Sequence, residues 1–158
     1  DARQKMVRES HRHEISRILE TCPGLAEVRV AQLIPTVITP HRFRTAQQYW
    51  AYCGFGIVMR TSSDWVRGPK GFERREVRGV RGLSHQSNRT LKGIYKSAVT
   101  TVLKNPEHPL TQHYDRLLEG GTKPPNAKLT IARKIASLSL AMWRHEEAYD
   151  PGRITAHS

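Results

Sequence analysis

The sequence predicts a mostly helical α+β domain with a helix-hairpin-helix-like element, a small β insertion and a long central C-terminal helix. Three observations predict it. Segments 87–103 and 126–148 carry apolar residues at helical spacing over several turns. Between residues 55 and 82 the chain turns to Gly, Pro and Arg around short apolar runs, the pattern of a small irregular sheet. At 158 residues, 37% of them hydrophobic, the chain fills one ordinary domain with one core.

Residues 3–20 read as a single helix, with Met6, Val7, Ile15, Ile18 and Leu19 as its apolar positions and no Gly or Pro. It is expected to be the end of a longer linking helix that enters from outside. Cys22-Pro23-Gly24-Leu25 stops it, and 26–33 is helical in composition until Pro35. A Pro-Gly turn followed by a helix aims free N–H groups and a positive dipole end outward, where a phosphate sits well. This stretch resembles a helix-hairpin-helix DNA-binding element: Leu25 and Ala31 fit its pattern, while Ala26 stands where a second glycine is usual. An ordinary helical corner in the core fits the same residues.

Thr45 is a good N-cap for a short helix through Tyr52, with Gly54 just past its end. Its aromatics Tyr49, Trp50 and Tyr52 are assigned to packing. Residues 55–59 suit a buried strand, and 65–67 and 72–80 two further strands around the turn Gly68-Pro69-Lys70-Gly71. A helix over 87–103 ends at Asn105-Pro106. Pro109–Glu119 forms a short one closed by Gly120-Gly121. Asn126 is expected to cap the last helix, running to about Ala148, whose apolar positions cover most of its circumference, as for a central core element.

With 26 Lys and Arg against 14 Asp and Glu, the net charge is +12. Half of it falls between Arg60 and Lys92, where nine basic residues face three acids. A folded domain with such a charge points to a nucleic-acid partner. If about six of these cations touch phosphates, log K falls with log[salt] at a slope near −5. No apolar run approaches the roughly 20 residues that span a bilayer, so no membrane partner is expected. Two cysteines, Cys22 and Cys53, make neither a disulfide framework nor a zinc site, and a reducing cytoplasm is the expected location.

The pattern shows no metal-ligand cluster and no Gly-rich phosphate loop. His11 and His13, two residues apart, read as surface residues, Cys53 as a small buried one, and Glu146-Glu147 as a solvated helix end. Thr61-Ser62-Ser63-Asp64 leaves an apolar strand and enters the most basic part of the chain. A serine there has what a phosphoryl-transfer nucleophile needs, since arginine forks stabilise the charge of a pentacovalent phosphate. From spacing alone a polar turn is the simpler reading.

Several segments taken in order resemble the C-terminal transposase domain of the IS110/IS116/IS902 family, related to the Piv-type invertases. They are Cys22-Pro23-Gly24-Leu25 with Ala31-Gln32-Leu33, Thr39 to Thr45 running into Tyr52-Cys53-Gly54-Phe55-Gly56, Thr61 to Arg67, Asn88 to Lys92, and Lys128 through Arg133 to Asp150. The resemblance implies a DNA transposase or site-specific recombinase built from two parts. An N-terminal RuvC-like domain would hold Mg²⁺ on its acidic residues. This part would supply a serine that becomes joined to the DNA strand. Counting eight from Gly54, that serine is Ser62, with Ser63 in reserve because it stands where the family usually has Gly. Arg60, Arg67, Arg81 and Lys92 are expected at nearby phosphates, and Gly24 at a nucleic-acid backbone.

The resemblance further implies a DNA partner, a structured guide RNA in some members, and a homo-oligomer, dimer or tetramer, when full length. Its setting would be the nucleoid of a bacterium or archaeon. No cofactor is expected in this chain, and the chain alone is expected to be inactive. The domain organisation that follows is 1–20 as the end of a linking helix, 21–151 as the serine-bearing domain and 152–158 as a tail. Two rival readings stand beside it. One is a non-catalytic nucleic-acid-binding helix-hairpin-helix module, and the other an oligomerisation domain whose charge only keeps it soluble.

Overall fold

Asp1 caps the first helix, its carboxylate accepting the Arg3 N–H at 3.2 Å, and α1 runs Ala2–Ser10. The computed structural model describes residues 1–60, 65–74, 80–83 and 87–152, with backbone alone at 58–60, 65–67, 73–74 and 80–83. The single helix expected over 3–20 is broken at His11–His13, and α2 follows as Glu14–Glu20. The reason lies in α3 (Glu27–Val37), against which both α1 and α2 pack. A straight helix over 3–20 would be about 27 Å long, against roughly 16 Å for α3. Folding at the corner lets both halves reach it. The Ser10 and Ser16 hydroxyls, both buried, bond across that corner at 3.0 Å, and His11 Nε2 lies 2.7 Å from Glu20 Oε1.

Pro35 does not end α3. It sits in the last turn, and the helix continues to Val37 before Ile38 stops it. Ile38 has φ 70° and ψ −57°. Its N–H bonds Ile34 O at 2.8 Å, and the Thr39 N–H bonds Val37 O at 2.8 Å, which makes a γ-turn. A short 3-10 turn, Pro40–Arg42, leads to α4 (Ala46–Tyr52), capped as expected by the Thr45 hydroxyl on the Gln48 N–H at 3.2 Å. Gly54 closes α4 with φ 82°, and the Phe55 N–H reaches back to Trp50 O at 2.7 Å, a Schellman ending.

The β insertion is two antiparallel ladders. β1 (Ile57–Arg60) pairs with β4 (Val80–Leu83), and β2 (Trp65–Gly68) with β3 (Gly71–Arg74) across Pro69-Lys70. The buried strand expected over 55–59 is not found as such. Phe55 is buried but belongs to the end of α4, and the strand begins at Ile57, which is 46% exposed. Chain leaving the core needs no apolar cover, so β1 departs as a ribbon. Of the strand expected over 72–80, the described part is β3 and the first residue of β4.

Asn88 caps α5 (Arg89–Val102), its side chain accepting the Leu91 N–H at 3.1 Å. α6 (Pro109–Glu119) is capped by His108 Nδ1 on the Leu110 N–H. α7 spans Pro124–His145 and starts earlier than expected. Pro124 and Pro125 take the first helical positions, where a missing N–H costs nothing, so Lys123 and not Asn126 is the cap. It ends at Glu146, in the left-handed region at φ 52°, short of Ala148.

α7 is the central element. It packs against α2, α4, α5 and α6 and buries Ile131, Ile135, Ala136 and Leu140. At its centre the buried hydroxyls of Tyr49, Tyr95 and Ser139 form a chain, with Tyr95 to Ser139 at 2.8 Å and Ser139 donating onward to Ala136 O at 2.9 Å. Each hydroxyl of the chain is satisfied, so the core tolerates three polar groups. No helix among the described residues is long and apolar enough to cross a membrane.

Candidate nucleic-acid interface

The end of α4, the base of the ribbon and the start of α5 meet at one place. The Asn88 N–H bonds Tyr52 O at 2.9 Å, tying the α5 cap to the α4 terminus. Gly54 sits between them: a Cβ there would stand 2.6 Å from Ser87 Oγ and 3.2 Å from Lys92 Cδ. From the other side α7 holds the same junction. Arg133 Nε donates to Phe55 O at 2.9 Å and its Nη2 reaches the same oxygen, while Trp50 Nε1 donates to Ser137 Oγ at 2.8 Å. The Arg133 guanidinium also lies 5.7 Å from the Trp50 ring centre.

Lys92 therefore stands where the ribbon leaves the body, its stem against Gly54. Arg89, Lys92 and Lys96 follow at i, i+3 and i+7 on one face of α5, and the first turn of that helix holds no acid. Across a groove of about 540 Å³ lies Lys128 of α7. The walls carry Lys92, Lys96 and Lys128 with no carboxylate, and the floor is apolar, Phe55, Val99 and Leu129. A groove of this kind favours an anion with an apolar or aromatic part. Lys96 and Lys128 were not singled out by sequence reasoning. The signal was there in the i, i+4 step from Lys92 to Lys96, but pairing Lys128 with them needed the α5–α7 packing.

A larger groove of about 960 Å³ runs along α7 past Trp50, Leu138 and Met142. Its rim mixes Arg133 and Lys134 with Glu147 and Asp150, so it shows no preference for anions.

The arginines singled out in the sequence fall on the ribbon. Arg60 is opposite Val80 and Arg81 opposite Met59, on adjacent rungs of one ladder, whereas Arg67 is opposite Phe72 on the other. Ser62 and Ser63 lie outside the described residues. Gly24 lies elsewhere. It takes φ 77°, and a Cβ on it would stand 2.5 Å from Ala98 O, so the turn is pressed against the backbone of α5. Ala98 is about 120° around α5 from Lys92, and the structure does not bring Gly24 onto the lysine face. Its carbonyl accepts from Arg29 Nη1 at 2.7 Å, and the first turn of α3 carries the exposed Glu27, which opposes an anion there.

Nucleophiles and ligands elsewhere are few. Cys22 and Cys53 are free and buried, and burial pushes each thiol up to about 12, which leaves them protonated and inert. His11 and His13 are exposed as expected. Among the described residues no group of three or more His, Cys, Asp or Glu could hold a metal ion.

Residues 16–107, from α2 through α5 and including the ribbon, match the model of the transposase IS116/IS110/IS902 family. That is more than half of the chain. α6 and α7 lie beyond the matched residues. No curated protein shows significant similarity to the chain.

Proposed function

The chain belongs to the IS116/IS110/IS902 transposase family, and on that premise we propose that it is the nucleic-acid-binding, serine-supplying part of a DNA transposase. The family match carries this reading. The carboxylate-free lysine face of α5 and α7 at the foot of the ribbon supports the DNA-binding half of it. In this proposal the Ser62 hydroxyl oxygen attacks a DNA phosphorus. A phosphoserine ester forms, one sugar–phosphate P–O bond breaks, and the serine proton ends on the departing sugar oxygen. Rejoining is the reverse attack by another strand's hydroxyl, so bond energy is kept in the ester. Ser63 is the reserve nucleophile. Arg60, Arg67, Arg81 and Lys92 would hold the flanking phosphates, with Lys96 and Lys128 extending the track, and Gly24 would serve the corner beside α5.

The resemblance implies a divalent ion, and in this proposal it belongs to a preceding RuvC-like domain. With that ion and its carboxylates elsewhere, this chain alone would bind without cutting. Assembly as a dimer or tetramer and the use of a guide RNA belong to the same proposal for the full-length protein. The test is to trap a covalent protein–DNA adduct with a protein carrying both halves, then repeat it with Ser62→Ala and Ser63→Ala. Loss of the adduct in Ser62→Ala alone is expected. Persistence in both variants would eliminate both serines, and absence of any adduct from the parent protein would leave a non-catalytic binding module.

A further inference from the structure

The β2–β3 hairpin carries a face with an unusual composition. Its register pairs Trp65 with Arg74 and Arg67 with Phe72. Opposed residues and residues two apart share a face, so Trp65, Arg67, Phe72 and Arg74 fall together. The other face takes Val66, Gly68, Gly71 and Glu73. Aromatics and arginines thus alternate on one side, and the hairpin's acid is on the other. Phe72 is 72% exposed, beside the exposed turn Pro69-Lys70. An exposed aromatic adds no burial energy to the fold and gains it only when a ligand covers it.

We propose that this face is a stacking platform for unpaired bases of a nucleic-acid strand. A paired base within a duplex already has both faces covered by its neighbours, while an unpaired base offers a bare π-face. Positions 65 and 72 are diagonal neighbours, about 7–8 Å apart, which suits two splayed bases rather than two stacked ones. The arginine positions on the same face supply charge for the linking phosphates and planar groups that themselves stack. Strand binding of this kind tolerates many sequences, because every base has such a face. The inference rests on the nucleic-acid reading of the previous subsection but adds a different element, the hairpin tip, and a different ligand, the unpaired base.

The experiment measures binding of fluorescently labelled 12-nucleotide single-stranded DNA, single-stranded RNA of the same sequence, and the matching DNA duplex. It uses the chain and its Phe72→Ala, Phe72→Leu and Phe72→Tyr variants. Phe72 is exposed, so these variants should unfold at the same temperature as the parent, which is checked first. Ala and Leu are expected to weaken single-strand binding about tenfold with an unchanged salt slope and unchanged duplex binding, and Tyr to restore it. The ratio of DNA to RNA affinities identifies which strand is the ligand. Unchanged single-strand binding in Phe72→Ala overturns the platform while leaving the nucleic-acid reading intact. So does a result in which Leu performs as well as Phe, or in which Ala alters only self-association in sedimentation. Failure of the parent chain to bind any of the three probes overturns both readings.

Discussion

The guanidinium of Arg133 holds the carbonyl oxygen of Phe55, with Nε donating at 2.9 Å from the middle of α7. Phe55 is the last buried residue before the chain leaves as β1. One side chain of the central helix therefore fixes the point from which the whole ribbon departs. The carbonyl is taken up at a helix ending, and the same guanidinium lies by Trp50.

Removing that clamp has a definite cost. A hydrogen bond from a charged donor is worth roughly 1.5–3 kcal/mol, so Arg133→Ala should destabilise the fold by about 2 kcal/mol and lower Tm by roughly 4–8 °C. Arg133→Lys, which keeps the charge without the two-pronged donor, should fall between. Circular dichroism melts decide it, and an unchanged Tm in the alanine variant would show that the junction is held by other contacts.

Two glycines, one packed against α5 and one within it, should respond in opposite directions to the same substitution. Gly24 has φ 77° and no room, since its Cβ would meet the Ala98 carbonyl at 2.5 Å. Gly93, inside α5, has nothing within 4 Å of a Cβ. Gly24→Ala is therefore expected to cost about 2–4 kcal/mol through strain and overpacking, and Gly93→Ala to gain about 0.5–1 kcal/mol. Urea unfolding of both variants reads this directly. A neutral Gly24→Ala would return the Pro-Gly turn to solvent, and with it the case for a backbone-gripping corner.

The lysine face makes a prediction that a merely solubilising charge does not. Each phosphate contact contributes close to one unit to the salt slope. Lys96→Gln and Lys128→Gln should each weaken duplex binding across sequences and make the log–log slope less negative by about 0.9. Titrations between 50 and 200 mM salt separate this from a change in shape. Slopes identical to the parent's would place the DNA elsewhere.

Much of the helical frame was legible because its signals are local. Thr45 and Pro109 sit where a cap and a first turn require them, and the apolar spacing of α5 and α7 continues for several turns. Three features were not local. The corner at His11–His13 has no Gly or Pro to announce it and exists because α1 and α2 share the short surface of α3. Pro35 marked a helix end by its chemistry, yet α3 runs two residues past it and Ile38 made the stop. The departure of β1 from the core could not be read from Ile57 and Val58, which are apolar whether covered or bare. The site divides in the same way. The Lys92 position follows from charge and helix phase, whereas Lys128 joins it through the packing of α5 on α7.

The cap of α6 makes stability depend on pH near neutrality. His108 Nδ1 accepts the Leu110 N–H at 3.1 Å, and the ring lies by Tyr149. Protonation would put a hydrogen on that acceptor and break the cap. Burial lowers the pKa of His108 below its ordinary 6.5. His113 is lowered too, by burial first and then by Lys134 and Arg116. For both groups the unfolded chain binds a proton before the folded one does. The contribution of these two groups is thus constant above about pH 7.5, falls as pH drops through 6.5, and stops falling below the folded values. His108→Asn keeps a capping oxygen and removes the proton. Its Tm should match the parent's at pH 8 and decline less between pH 7.5 and 5.5, with His113 accounting for part of the remainder. A parent Tm that rises on acidification, or a variant that declines as steeply, would mean that the imidazole is not the acceptor holding this helix.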